Sequence, residues 1–147
     1  MDFDVNEYIK RSLGRKLGVS SRLFGNRMNR HFKENGLNVT PEQWRIFVNL
    51  RKDEGKTQNM IACATDKDEP SVSRLIDNMI KRNLVKRVPH PTDRRTNLIY
   101  LTEEGAQMQE DLINLALKTA AEATEGVNEQ DLETCLRVLD KIIENLK

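Results

Sequence analysis

The sequence predicts a mainly α fold that carries one two-stranded hairpin, and three observations predict it. First, two short apolar runs, Leu84-Val85-Lys86-Arg87-Val88 and Leu98-Ile99-Tyr100-Leu101, flank a loop holding Pro89, Pro91, Asp93, Arg94 and Arg95. β-branched and aromatic residues on either side of a Pro/Asp-rich break read as a hairpin. Second, two short helices meet across the polar turn Asp66-Lys67-Asp68, the layout of a helix-turn-helix. Third, both ends of the chain carry apolar stripes at helical spacing. A helix-turn-helix followed by a basic hairpin is a winged helix-turn-helix, here with a two-stranded wing and with helical arms at the N- and C-termini.

Size and composition set the frame. The 147 residues suit a single domain, spanning 1–147. Apolar content is 37% and charged content 32%. That balance favours long amphipathic helices, and a core completed by a second copy of the chain, over a thick monomeric core. No run is long and apolar enough to span a bilayer. The start, Met1-Asp2-Phe3-Asp4, lacks the basic-then-apolar order of a signal peptide, so a cytoplasmic location is expected and no membrane partner.

The elements follow in order. Ile9, Leu13, Leu17, Phe24, Met28 and Phe32 stripe a helix over roughly 5–34, which Gly36 ends. Gly14, Gly18 and Gly25 inside it suggest close packing against another helix. Thr40-Pro41-Glu42-Gln43 is a helix start with a cap, a proline at the first position and a capping box. Trp44, Phe47, Val48 and Leu50 form the apolar face of that helix, and Asp53-Glu54-Gly55 is read as its stop. Thr57 caps a helix from Gln58 to about Thr65, with Ile61, Ala62 and Ala64 facing inward. Asp68, Pro70 and Ser71 open the next, which runs to about Asn83 with Val72, Leu75, Ile76, Met79 and Ile80 on one face. After the hairpin, Thr102 caps a helix to about Glu125, Gly126 ends it, and Asn128 caps the last. There Leu132, Cys135/Leu136, Leu139, Ile142/Ile143 and Leu146 recur at near-heptad spacing. Residues 1–36 and 102–147 are thus read as dimerisation helices around a winged helix-turn-helix at 40–101.

Charge is distributed unevenly. The net charge of +1 divides into +4 over residues 1–40, −1 over 41–70, +5 over 71–101 and −7 over 102–147. The positive block coincides with the second helix and the wing, so a polyanion is the expected partner. DNA's major groove admits one α-helix and meets the start of it. Ser71, Ser73 and Arg74 lie there; Arg74 has the fork to bind guanine, and Ser71 has capping as an equal alternative use. Arg94 and Arg95 at the wing tip suit a narrow minor groove. Asp93 beside them is expected to hold a guanidinium or cap the turn amides.

These residues together resemble the MarR family of bacterial transcription regulators. The matching pieces are Ile61-Ala62, Ser71-Val72-Ser73-Arg74-Leu75-Ile76-Asp77, Leu84-Val85-Lys86-Arg87, Asp93-Arg94-Arg95 and Leu101-Thr102-Glu103-Glu104-Gly105. The resemblance implies a homodimer on palindromic double-stranded operators, with Arg95 as the minor-groove contact. It also implies a pocket between arms and reading head, for which Phe24, His31 and Trp44 are loose candidates, with buried core packing the more ordinary use of the two aromatics, and a small aromatic acid or an oxidant as the effector of many members. Three departures stand out: Thr65 replaces a usual apolar residue, Asn83 a usual glycine, and the first helix lacks the cysteine of the peroxide-sensing branch.

Other functions are poorly supported. Cys63 and Cys135 make no CxxC pair and are expected to be small buried residues. His31 and His90 have no metal-ligand spacing, so no metal or other cofactor is expected. No nucleophile–base pair or Gly-rich phosphate loop points to an enzyme. The alternative is a winged-helix module that docks protein without binding DNA. Such a module would not need positive charge on both helix and wing.

Overall fold

The computed structural model describes residues 4–147. Its element order is α1 (Val5–Arg11), α2 (Leu13–Glu34), α3 (Pro41–Phe47), β1 (Lys56–Thr57), α4 (Gln58–Thr65), α5 (Glu69–Lys81), β2 (Val85–Pro89), β3 (Asn97–Leu101), α6 (Glu103–Ala123) and α7 (Glu129–Leu146). The fold is mainly helical, and the hairpin lies where the sequence put it. Its register pairs Val85 with Leu101 and Pro89 with Asn97. The sheet has three strands rather than two, in the order β1-β3-β2, because Lys56 and Thr57 pair with Ile99 and Leu98.

The core sits under the reading head. Ile46, Phe47, Leu50, Ile61, Val72, Ile76, Met79, Ile99 and Leu112 are fully buried, so α3, α4, α5, the sheet and the middle of α6 close on one another. The buried residues of α5, Val72, Ile76 and Met79, recur at spacings of four and three and leave the opposite face to solvent. Asn83 takes the left-handed conformation, φ 57°, that turns the chain from α5 into β2. Asparagine thus fills the glycine role at that corner.

Several expectations are corrected. The first helix is two: Ser12 is extended (ψ 112°), and its hydroxyl accepts a bond from Arg15 N–H at 3.2 Å, capping α2. Around Gly14, Gly18 and Gly25 nothing within the chain lies inside 4 Å of where a β-carbon would stand, so no packing in this chain explains them. Helix α3 stops at Phe47, before Asp53-Glu54-Gly55, and Val48 is exposed. The stop comes from a distance: the Gln109 amide of α6 donates to the carbonyls of Phe47 and Leu50, the latter at 2.9 Å. On α4 Ala64 is exposed and Thr65 is buried in its place, its hydroxyl donating to the Ile61 carbonyl at 2.7 Å. Cys63 and Cys135 are both exposed in the chain, not buried. Phe24 is exposed as well, at 37%.

The arms differ in how they attach. Helix α6 packs along α2, and Glu122 bonds Arg27 at 2.8 Å and the His31 ring at 3.1 Å. Among the described residues helix α7 has no fully buried side chain, with Leu132, Leu139 and Ile142 half-buried, and Asn128 caps it as expected. No described helix is long and apolar enough to cross a membrane.

Candidate nucleic-acid interface

Helix α5 begins at a cap one turn earlier than Ser71. Asp68 is the cap: its carboxylate accepts from the Ser71 N–H at 2.8 Å and from the Ser71 hydroxyl at 2.9 Å. These two bonds, with Arg74 as a lesser electrostatic contributor, hold the Asp68 carboxyl below its ordinary pKa of 3.8. Ser71 therefore has its hydroxyl proton committed and presents only lone pairs outward. Arg74 is exposed one turn on, and Ser73 is half-buried between them. Of the three residues named for the helix, Arg74 has the reach and freedom for a base edge, while Ser71 is part of the cap.

The helix is tied to the wing by a residue the sequence reading passed over. Arg87 of β2 donates to Asp77 of α5 and to Gln58 of α4, each at 2.9 Å. One guanidinium thereby fixes the angles of three elements. A second tie links α3 to α5, where the buried Gln43 amide donates to Asn78 at 2.9 Å. The signal available for Arg87 was its strand alternation, which turns it toward the helices and away from Lys86 and Val88.

At the wing tip, Asp93 does not touch a guanidinium. Its carboxylate accepts from the Arg95 N–H and from the Thr96 hydroxyl, both at 3.0 Å. The Arg95 amide is the larger cause, and Thr96 the next, of a carboxyl pKa held below 3.8. The Thr96 N–H closes the four-residue turn on the Asp93 carbonyl at 3.2 Å. Arg94 and Arg95 occupy the two central positions of that turn, both exposed. Arg74, Arg94 and Arg95 thus stand free of the core on α5 and on the wing that Arg87 fastens to it.

Of the pocket residues, Phe24 and Trp44 line one cleft of about 520 Å³ between α2 and α3, together with Arg22, Asn29 and Arg45. Trp44 also meets Phe32 edge-on, ring centres 5.6 Å apart. His31 stands apart: it is buried and bonded to Glu122. The Glu122 carboxyl is pulled below its ordinary 4.5, first by the Arg27 bond and then by the His31 bond. A depressed carboxylate adds stability that is present above its unfolded pKa and lost as pH falls through the folded value. Glu122→Gln is accordingly expected to flatten the acid side of the stability curve below about pH 4.5 and to leave its shape above that range unchanged. Thermal melts at stepped pH measure both limbs, and an unchanged acid limb refutes the assignment.

Residues 37–96 match the model of the MarR family. Members of this family are transcription regulators rather than enzymes. Three solved structures share this fold. An E. coli MarR mutant complexed with operator DNA superposes with a TM-score of 0.80 at 22% identity, covering 95% of this chain and 99% of that one. The transcriptional repressor CouR bound to a 23-mer DNA duplex gives 0.84 at 21%, covering 97% and 99%. BpsR of Bordetella bronchiseptica, whose DNA binding is regulated by 6-hydroxynicotinic acid, gives 0.80 at 19%, covering 97% of each chain. The coverage extends the likeness of fold beyond the reading head to the arms.

Proposed function

We propose that the protein is a cytoplasmic transcription regulator, acting by repression, that binds palindromic DNA as a homodimer. Helix α5 enters the major groove, where Arg74 reads bases, and the wing carries Arg95 into the flanking minor groove. The observation that carries this reading is the set of exposed arginines on helix and wing, joined by Arg87 within the segment of +5 charge. A homodimer is supported by α7, which has an apolar stripe and, among the described residues, no fully buried side chain. Selection of bound sequences from a random duplex library tests the proposal, and a steep loss of affinity with salt separates DNA binding from a protein-docking module. Two-fold symmetry predicts two half-sites about 34–36 Å apart or a small multiple of that, read by footprinting. A single short asymmetric footprint contradicts it.

Helix and wing are expected to divide the work. Arg74→Ala costs about 1–3 kcal/mol and relaxes base preference at one position per half-site. Arg95→Ala weakens binding most on A/T-rich flanks, because its partner is groove width and potential. Lys118→Ala, in the acidic arm, is the control. Equal losses for Arg95→Ala and Lys118→Ala on flank-varied duplexes sink the wing assignment.

The cleft holding Phe24 and Trp44 supports a small aromatic acid as effector, with Arg22 and Arg45 for its carboxylate. BpsR supplies the precedent. Trp44 is the sole tryptophan, so its emission reports occupancy. Titration with 6-hydroxynicotinate and related aromatic acids is expected to change that emission and lower operator affinity together.

A further inference from the structure

The wing loop has a second anchor opposite Asp93. His90 follows β2 directly, and its Nδ1 accepts from the Asp93 N–H at 3.1 Å and the Thr92 N–H at 3.2 Å. The Thr92 hydroxyl lies 3.3 Å from the same atom. The His90 N–H donates to the Thr96 carbonyl at 3.0 Å, closing the loop at its base. Two amide donors aimed at Nδ1 require a lone pair there, which puts the proton of the neutral ring on Nε2. Pro91 donates nothing, so this imidazole satisfies two of the first amides that follow it in the loop. The arrangement is a relay: His90 holds the Asp93 backbone, and the Asp93 carboxylate holds the Arg95 backbone.

We infer that His90 is the positioning residue of the wing, an imidazole used as a turn cap whose Nδ1 sets the aim of Arg94 and Arg95. The inference rests on the wing contacting DNA as proposed above. Seven residues, 90–96, with a single proline among them at 91, span the gap between the strands. Without an acceptor at His90 the amides of Thr92 and Asp93 turn to water, and the loop populates other conformers. Ordering it again on DNA then costs affinity without removing any charge.

The geometry of the acceptor makes a sharp test. An asparagine places its Oδ1 where the histidine has Nδ1, while a glutamine places its polar end near Nε2. His90→Asn is therefore expected to keep operator affinity within about twofold, and His90→Gln to lose about tenfold, the weight of roughly one ordinary hydrogen bond. The loss should be largest on A/T-rich flanks and should shrink in the Arg95→Ala background, because both act through one fingertip. Duplex binding at one fixed salt concentration reads all of these. If Arg95→Ala has no effect, the wing reading itself fails. If Arg95→Ala weakens binding but His90→Gln does not, or if Asn and Gln are equally damaging, His90 does not position the wing. Thermal melts of both variants should match the parent, since the loop lies outside the core.

Discussion

Leu139→Asp combined with Ile143→Asp is expected to convert the protein to monomers and abolish operator binding. Helix α7 is 18 residues long and, among the described residues, has no fully buried side chain: Leu139 is half-buried, Ile143 53% exposed and Leu146 82%. In proteins most helical stability comes from packing of an amphipathic face, and a second copy of the chain is the proposed cover for this one. Exposed Val5 and Ile9 on α1 and Leu13 on α2 extend the unpaired apolar surface at the other terminus. Two aspartates in the seam put charge where desolvation is required. Linking two heads on one duplex contributes about a hundredfold or more to affinity, and that share disappears with the dimer. Because α7 is not part of the core, melting of the head should change little. Light scattering at micromolar concentration reads the mass of parent and variant. A monomeric parent overturns the proposed dimer and, with it, the half-site geometry.

The capping signals in the sequence translate directly into structure. Thr40 and Gln43 form the reciprocal capping box at 3.1 Å in each direction, and Thr57, Thr102 and Asn128 each cap the helix assigned to them. These signals are local, since cap and amide are three residues apart, and a local signal survives in a sequence. The hairpin was legible for a similar reason: its strands and its turn residues lie within one short segment. What the sequence did not disclose is non-local. Strand β1 has two residues, too few for any period, and exists only because β3 offers an open edge. The end of α3 is set by Gln109, some sixty positions downstream. The break at Ser12 carries neither glycine nor proline.

The candidate site divides along the same line. Its exposed arginines could be named from charge and context, and the structure brings Arg94 and Arg95 to one turn and Arg74 to the helix beside the wing strand. Their supports were harder to see. Asp93 was read as a possible guanidinium partner or a turn cap, and its bonds to Arg95 N–H and Thr96 show the second. Asp68, not Ser71, caps α5, although serine and aspartate compete for that place on equal terms by type alone. Cys63 sits two positions after buried Ile61, some 200° around α4, which explains its exposure where a general tendency of cysteine to be buried did not.

Gly105→Ala is expected to destabilise the protein by about 3 kcal/mol, near the upper end for overpacking, because the obstacle is backbone. Gly105 is the third residue of α6 and its N–H donates to the Thr102 hydroxyl at 3.0 Å. That hydroxyl donates in turn to the Asn83 carbonyl at 2.6 Å, while the Thr102 N–H donates to the Leu84 carbonyl at 3.1 Å. The start of the arm is thereby stitched to the corner between recognition helix and wing. A β-carbon on Gly105 would collide with the Leu84 carbonyl oxygen and lie 2.8 Å from its carbon. No flexible side chain can give way there except Leu101, which lies 3.3 Å off. Two effects oppose each other. Alanine in a helix is favoured over glycine by about 1 kcal/mol. The collision is the larger, since relieving it means moving α6 off the corner and stretching the Thr102 bonds. Gly18→Ala isolates the favourable part, as nothing in the chain lies within 4 Å of that site. Thermal melts should therefore move in opposite directions, down by about 6–12 °C for Gly105→Ala and level or up for Gly18→Ala. A Gly105→Ala melt at or above that of the parent would mean that the joint between α6 and the α5–β2 corner yields freely, and that the close approach at Leu84 does not fix it.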